Sequence, residues 1–182
     1  MNVFKNLNFN TLTLIALFSF SNFVSAQQWQ SPLIEGYGEV INFKDAAQQP
    51  DPSLEYKLLF DVTSNTQKNG VNKRLWVVAR TLNMMHIANV PPNQVKIVVA
   101  LHGAATFDAL SQEAHMKQFN KPNPNIDLIE KLKAKGVSLY ICSQALAARS
   151  IKTKALHPAI TPALSALSVL SNYQMKGYHL IP

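Results

Sequence analysis

Val95–Leu101 reads VKIVVAL, and His102-Gly103 follow it without a break. A strand with one wet face alternates apolar and polar residues. This run is β-branched and nearly all apolar, which is how a strand covered on both faces reads. Val137–Cys142, VSLYIC, repeats the pattern, and Tyr56–Val62, YKLLFDV, is a third short strand. Tyr178–Ile181 reads as a last one.

Helical stretches separate these strands. Asn72 can cap a helix running to about Ile87, with Leu75, Val78, Ala79, Leu82 and Met85 on one face at the helical period. His86 falls at the edge of that stripe, and Met84 and Met85 read as gap fillers. Val90-Pro91-Pro92-Asn93 turns the chain into VKIVVAL. Phe107 to about Lys117 is expected to be helical, and Pro122 and Pro124 break it. Asn125 is expected to cap a helix from Ile126 to about Lys135, with Asp127 and Glu130 near its start and Lys133 and Lys135 near its end, as the helix dipole favours. Gly136 stops it. Ser143–Ser150 reads as a short Ala-rich helix or turn. Thr161 is expected to cap a final helix with Pro162 at its first position, running to about Met175. Within it Ala163, Ala166, Leu167 and Leu170 form an apolar stripe beside Ser165, Ser168 and Ser171, a pattern open to sheet packing or a subunit interface.

The order is β-α-β-α-α-β-(short α)-α-β. Buried strands alternating with helices imply an α/β three-layer sandwich around a mainly parallel, flavodoxin-like open sheet of about 4–5 strands.

The front of the chain reads differently. Lys5 is the only charge before Glu35, TLTLIALFSF spans Thr11–Phe20, and Val24-Ser25-Ala26 are small. That is the pattern of a secretory signal peptide, and the run is shorter than the roughly 18–20 residues a membrane span needs. Residues 1–26 are therefore expected to be cleaved near Ala26, leaving a periplasmic or secreted protein with no membrane segment. Residues 27–53, rich in Gln and Pro, form an N-terminal arm, either laid on the surface or loosely held. Residues 54–182 form one domain, enough for a real core.

The formal charge is +7 with a pI of about 9.6. The Lys and Arg residues are scattered and not interleaved with aromatics, so nucleic acid is not an expected partner. A single cysteine excludes an internal disulfide.

Ligands of such sheets bind beyond the carboxyl ends of the strands. Two polar pieces fall there: His102-Gly103 and Cys142-Ser143. Cys142 ends an apolar strand and precedes a short helix, whose first N–H groups favour a thiolate or persulfide anion. Arg149 could add positive potential further on. The alternative is a buried Cys acting as a small hydrophobe. His102 reads as an acid/base, a ligand holder or a satisfied half-buried histidine. Asp108 and Glu113 read as helix-start and surface carboxylates. A metal set of Cys142, His102 and His157 lacks close spacing, so no metal or other cofactor is expected. A Cys-His hydrolase lacks an evident orienting residue, and no P-loop or GxGxxG is present.

NPNIDLIEKLKAKGVSLYICSQALAARSI, Asn123–Ile151, resembles the DsrE/DsrF-like family of sulfur-relay and related proteins. Val90-Pro91-Pro92 followed by VKIVVALHG, and PALSAL and YQMKGYHLIP within Pro162–Pro182, agree with it. The resemblance covers roughly Leu54–Pro182, and Cys-Ser-Gln-Ala-Leu-Ala-Ala-Arg is its most specific piece. It implies a DsrE/YchN-like sandwich assembled into homo-oligomers such as trimers or hexamers. It also implies that Cys142 carries sulfur as a persulfide, exchanging it with thiols of other proteins. Sulfur-relay members act in the cytoplasm, whereas an exported member meets another redox system. His102, Gly103, Ser143 and Arg149 are carried as ligand-binding candidates around Cys142. The competing reading is a non-catalytic, oligomeric protein that binds a small ligand or senses metal or redox state.

Overall fold

A computed structural model describes residues 28–182, so the signal peptide expected over residues 1–26 lies outside the described residues. Five strands form the main sheet: β1 (Tyr56–Val62), β4 (Val95–Leu101), β5 (Ser138–Cys142), β6 (Thr161–Ala163) and β7 (His179–Ile181). Their spatial order is β6-β5-β4-β1-β7, and every neighbouring pair is parallel. The α/β sandwich with a parallel sheet is the architecture that the apolar runs imply. Before the first helix, β2 (Gln67–Lys68) and β3 (Val71–Asn72) add a small antiparallel hairpin.

Alternate residues of each strand serve two different layers. Leu58, Phe60, Val62, Ile97, Val99, Leu101, Leu139 and Ile141 pack under α1 (Lys73–Ile87) and α3 (Ile126–Ala134). Leu59, Val98, Ala100 and Cys142 face the other way, onto Ala166 and Val169 of α5 (Ala166–Met175). Each wholly buried Leu, Ile or Phe in these layers stabilises the fold by about 1.5–3 kcal/mol.

The path of the chain determines where a crevice opens. From β1 it steps to β4, β5 and then β6. The segment between β5 and β6 contributes Leu146, Leu156 and Ile160 to the α1/α3 layer. After β6 the chain crosses by α5 on the opposite face and returns to β7 beside β1. The connections therefore change face between β5 and β6. That is the topological switch point at which open α/β sheets place ligands.

Asn72 caps α1 as expected, accepting from the N–H groups of Arg74 and Leu75. Three local expectations are corrected. The stretch from Phe107 is not one helix. Gly103–Ala109 is a 3-10 turn, and α2 (Gln112–Phe119) starts afresh under its own cap, Ser111. Asn125 precedes α3, but its side chain makes no cap bond; it turns inward to Asp108 and Asn72. Thr161 and Pro162 do not start a helix, because they form β6 along the open edge of β5. Proline is tolerated on an edge strand, where its missing N–H breaks no ladder on the free side. Helix α5 begins instead at Ala166 behind Ser165, whose Oγ accepts from Leu167 N–H while Ser168 Oγ accepts from Ser165 N–H. Ala163, Ala166 and Leu170 of the expected stripe still pack towards the sheet. Val169 and Ala166 pack on the sheet, and Leu167 points outward with 75% of its surface exposed.

The arm lies on its own domain. Ile34 is buried, and Asn83, wholly buried on α1, holds the arm through both ends of its amide. Its Oδ1 accepts from the N–H groups of Leu33 and Ile34, and its Nδ2 donates to the carbonyls of Tyr37 and Gly38. Gly38, with φ of +65°, lets the arm touch the α1 backbone; a Cβ there would sit 2.1 Å from the nitrogen of Arg80.

Candidate functional site

Cys142 is the last residue of β5 and lies at the switch point, 7% exposed. Its sulfur points to the α5 side of the sheet. Two helix starts converge on it: α4 (Ser143–Ala147) continues directly from β5, and α5 begins just past β6. Sγ lies 3.9 Å from Ser165 Oγ. Burial of the sulfur is the largest single influence on it and opposes ionisation. The N–H groups of Ala166, Ala145 and Gln144 and the Ser165 hydroxyl together outweigh that burial and hold the thiol below its ordinary pKa. A buried Cys that was merely a small hydrophobe would be pushed the other way.

His102 follows β4 in extended backbone, φ −163° and ψ −167°, and its N–H still bonds Val62 of β1. Leu101 pairs with Ile141, so one step further on His102 runs level with Cys142. Its ring Nε2 lies 2.7 Å from Oδ1 of Asp61, one residue before the end of β1. Asp61 pairs with Ala100 and so shares the face of Leu59 and Cys142. The histidine therefore has the orienting carboxylate that the sequence did not reveal. The signal was a lone acid in the apolar run YKLLFDV.

The other candidates fall around this pair of positions. Gly103 is required by packing: its φ is +56°, and a Cβ would come within 2.7 Å of the Thr63 carbonyl oxygen. Ser143 opens α4 next to Cys142. Arg149 lies beyond the end of α4, donating to the Ala145 carbonyl at 3.1 Å with its guanidinium over the ring of Phe107. His157 lies 3.3 Å from Glu130 of α3, so the set Cys142, His102 and His157 is not brought together. Among the described residues no group of three His, Cys, Asp or Glu side chains could hold a metal ion.

Asp108 corrects the expectation of a surface carboxylate. It is buried, with Oδ2 accepting from Asn72 and Oδ1 from Asn125. Burial pushes its pKa up against those two bonds. Asn123 donates to the Asp108 and Leu110 carbonyls, so the cluster ties the start of α1, the 3-10 turn and the start of α3 together. A cavity of about 590 Å³ opens beside it between Phe107, His115, Phe119 and Lys121. A second, of about 330 Å³, reaches Asp61, Thr63, Arg74 and Ile181. Neither is lined by Cys142. No helix among the described residues is long and apolar enough to cross a membrane.

Comparison with known proteins places the fold. A structure described as a protein of unknown function, MTH1491 from Methanobacterium thermoautotrophicum, superposes with a TM-score of 0.54 at 17% identity, covering 69% of this chain and 97% of that one. The ychN protein from E. coli superposes with a TM-score of 0.41 at 15% identity, covering 69% of this chain and 96% of that one. Among curated proteins, none matches the chain. The family model described as DsrE/DsrF-like matches residues 57–182, well over half of the chain and every strand of the sheet, and the chain belongs to that family.

Proposed function

We propose that this protein carries sulfane sulfur on Cys142 as a persulfide and passes it to an acceptor thiol on another protein, acting as an exported homo-oligomer. The observation that supports this reading is the setting of the sulfur, at the start of α5, where Ala166 N–H and the Ser165 hydroxyl favour an anion. A persulfide is an anion at neutral pH and gains from the same donors. Membership in a family with sulfur-relay members agrees with it.

The step is a substitution at sulfur. The Cys142 thiolate attacks the outer sulfur of a donor R–S–SH, a new S–S bond forms on Cys142, and the donor S–S bond breaks. Its electron pair leaves on R–S⁻, which takes up a proton. Passing sulfur to an acceptor thiolate repeats the step with the roles exchanged, and Cys142 leaves as the thiolate. No net oxidation or reduction occurs.

Export rests on the pattern of residues 1–26 and places donor and acceptor outside the cytoplasm. Self-association agrees with Leu164, Leu167 and Met175, exposed at 74%, 75% and 89% on and beside the helix that covers the Cys142 face; a trimer or hexamer is what the family resemblance implies.

The test is intact mass spectrometry after incubation with a sulfane-sulfur donor. The expected result is a gain of one sulfur atom, lost on mild reduction and absent in Cys142→Ser. Absence of any gain, with a thiol that resists alkylation until unfolding, overturns the reading. The near-complete burial of Cys142 would then favour the non-catalytic small-ligand or sensing role.

A further inference from the structure

Asp61 of β1, His102 directly after β4 and Cys142 of β5 lie at the same end of three adjacent parallel strands and, by the alternation of residues along them, on the same face of the sheet. Leu101 pairs with Ile141 and neighbouring strands run about 4.8 Å apart, so continuing that register by one residue sets His102 beside Cys142 at the strand ends. The carboxylate of Asp61 can only accept, so Nε2 of His102 carries the hydrogen between them. Nδ1 is thereby left as the ring nitrogen for exchange. Both side chains keep some solvent contact, at 28% for His102 and 34% for Asp61. A third group can therefore reach the ring.

We propose that His102, oriented by Asp61, is the proton-transfer group for thiol exchange at Cys142. The inference rests on the sulfur-carrier reading for its substrate class, persulfides of alkyl thiols, and applies equally to disulfides of such thiols. His102 takes the proton that Cys142 releases on ionising. As the thiolate attacks and the donor S–S bond breaks, Nδ1–H delivers that proton to the departing sulfur, which leaves as R–SH. The sum is Cys142–SH plus R–S–SH giving Cys142–S–SH plus R–SH. Asp61 is a positioning residue: it touches neither sulfur and acts through the ring.

This role has a signature that packing alone would not move. An alkylthiolate is a basic leaving group whose departure is speeded by a proton, whereas a nitro-substituted aromatic thiolate is weakly basic and gains little from one. The full chain and its His102→Gln and Asp61→Asn variants are reacted in single turnover with 2-hydroxyethyl disulfide and with a nitro-substituted aromatic disulfide. Each rate is divided by the iodoacetamide alkylation rate of the same variant, which reads thiolate alone because iodide leaves unprotonated. His102→Gln is expected to slow the alkyl reaction by about 100-fold, the lower range of general acid–base catalysis, and to leave the aromatic reaction nearly unchanged. Asp61→Asn is expected to give the same selective loss to a smaller degree. Equal slowing of both reactions, or slowing of neither, overturns the proposal. A selective loss with His102→Gln but none with Asp61→Asn overturns the positioning role. If the wild type takes no sulfur from a persulfide donor yet shows the split, sulfur carriage falls and the proton-transfer role stands. If sulfur loads and the split is absent, the reverse holds.

Discussion

Replacing Asn83 with Ala should release the N-terminal arm from the domain. The amide of Asn83 makes four bonds to the arm backbone: two accepted from Leu33 and Ile34, two donated to Tyr37 and Gly38. Those to Ile34 and Gly38 are fully buried, and those to Leu33 and Tyr37 are half-buried. In the alanine variant the half-buried groups can turn to water. The buried N–H of Ile34 and carbonyl of Gly38 cannot, unless the arm lifts. Each orphaned buried group costs about 1–3 kcal/mol, so the pair sets a penalty of about 2–6 kcal/mol on the docked arm. Against a usual total stability of about 5–15 kcal/mol, that is enough to make undocking the cheaper response. Amide hydrogen exchange with peptide-level readout checks it. Residues 33–40 should lose protection at a denaturant concentration where β4 and β5 stay protected. Unchanged exchange in the arm, together with a loss of global stability under about 1 kcal/mol, would refute the reasoning, because it would mean the buried groups found other partners.

Further outcomes follow from the same geometry. Gly103→Ala places a Cβ against the Thr63 carbonyl oxygen and forces alanine into positive φ; a loss of about 2–4 kcal/mol is expected in urea unfolding, and a loss below about 1 kcal/mol refutes the required close approach. The pH midpoint for alkylation of Cys142 by iodoacetamide should lie below that of the same thiol in the unfolded chain. Because the folded pKa of Cys142 is depressed, its stabilising contribution is full above the unfolded thiol pKa and is lost as pH falls through the folded one; wild type should gain stability over Cys142→Ser as pH rises across that window. Asp108 has the opposite sign: its folded pKa lies above 3.8, so the folded state holds its proton longer. Wild type should lose stability relative to Asp108→Asn as pH rises from about 3.8 through the raised value, and a flat difference across the acid range counts against burial as the cause. Leu167→Glu should lower the mass measured by light scattering if a second copy covers α5, and a wild type already monomeric at micromolar concentration rejects the oligomer.

The inner strands β4 and β5 were legible in the sequence because the two core layers cover them on both faces. VKIVVAL and VSLYIC carry almost no polar residue, and their bounds match β4 and β5 to within a residue. The cap at Asn72 was legible for a local reason too, since its oxygen serves N–H groups only two and three residues on. The same chemistry misled at Asn125, whose partners lie 17 and 53 residues away, and at Thr161-Pro162, where the open edge of β5 outweighed a good helix-start pattern.

By itself, then, the sequence determined the class of fold, the family resemblance and the identity of the one thiol, Cys142. These depend on local composition and period, which survive without coordinates. Tertiary structure decided the environment of that thiol. Ser165 and Ala166 come to it from beyond β6, and Asp61 meets His102 from a strand 41 residues earlier. Such partners are assembled by strand register and by the change of face between β5 and β6, which no stretch of sequence encodes alone. The lone cysteine at a strand end is a fact of sequence; the balance of donors over burial that favours its anion exists only in the folded chain.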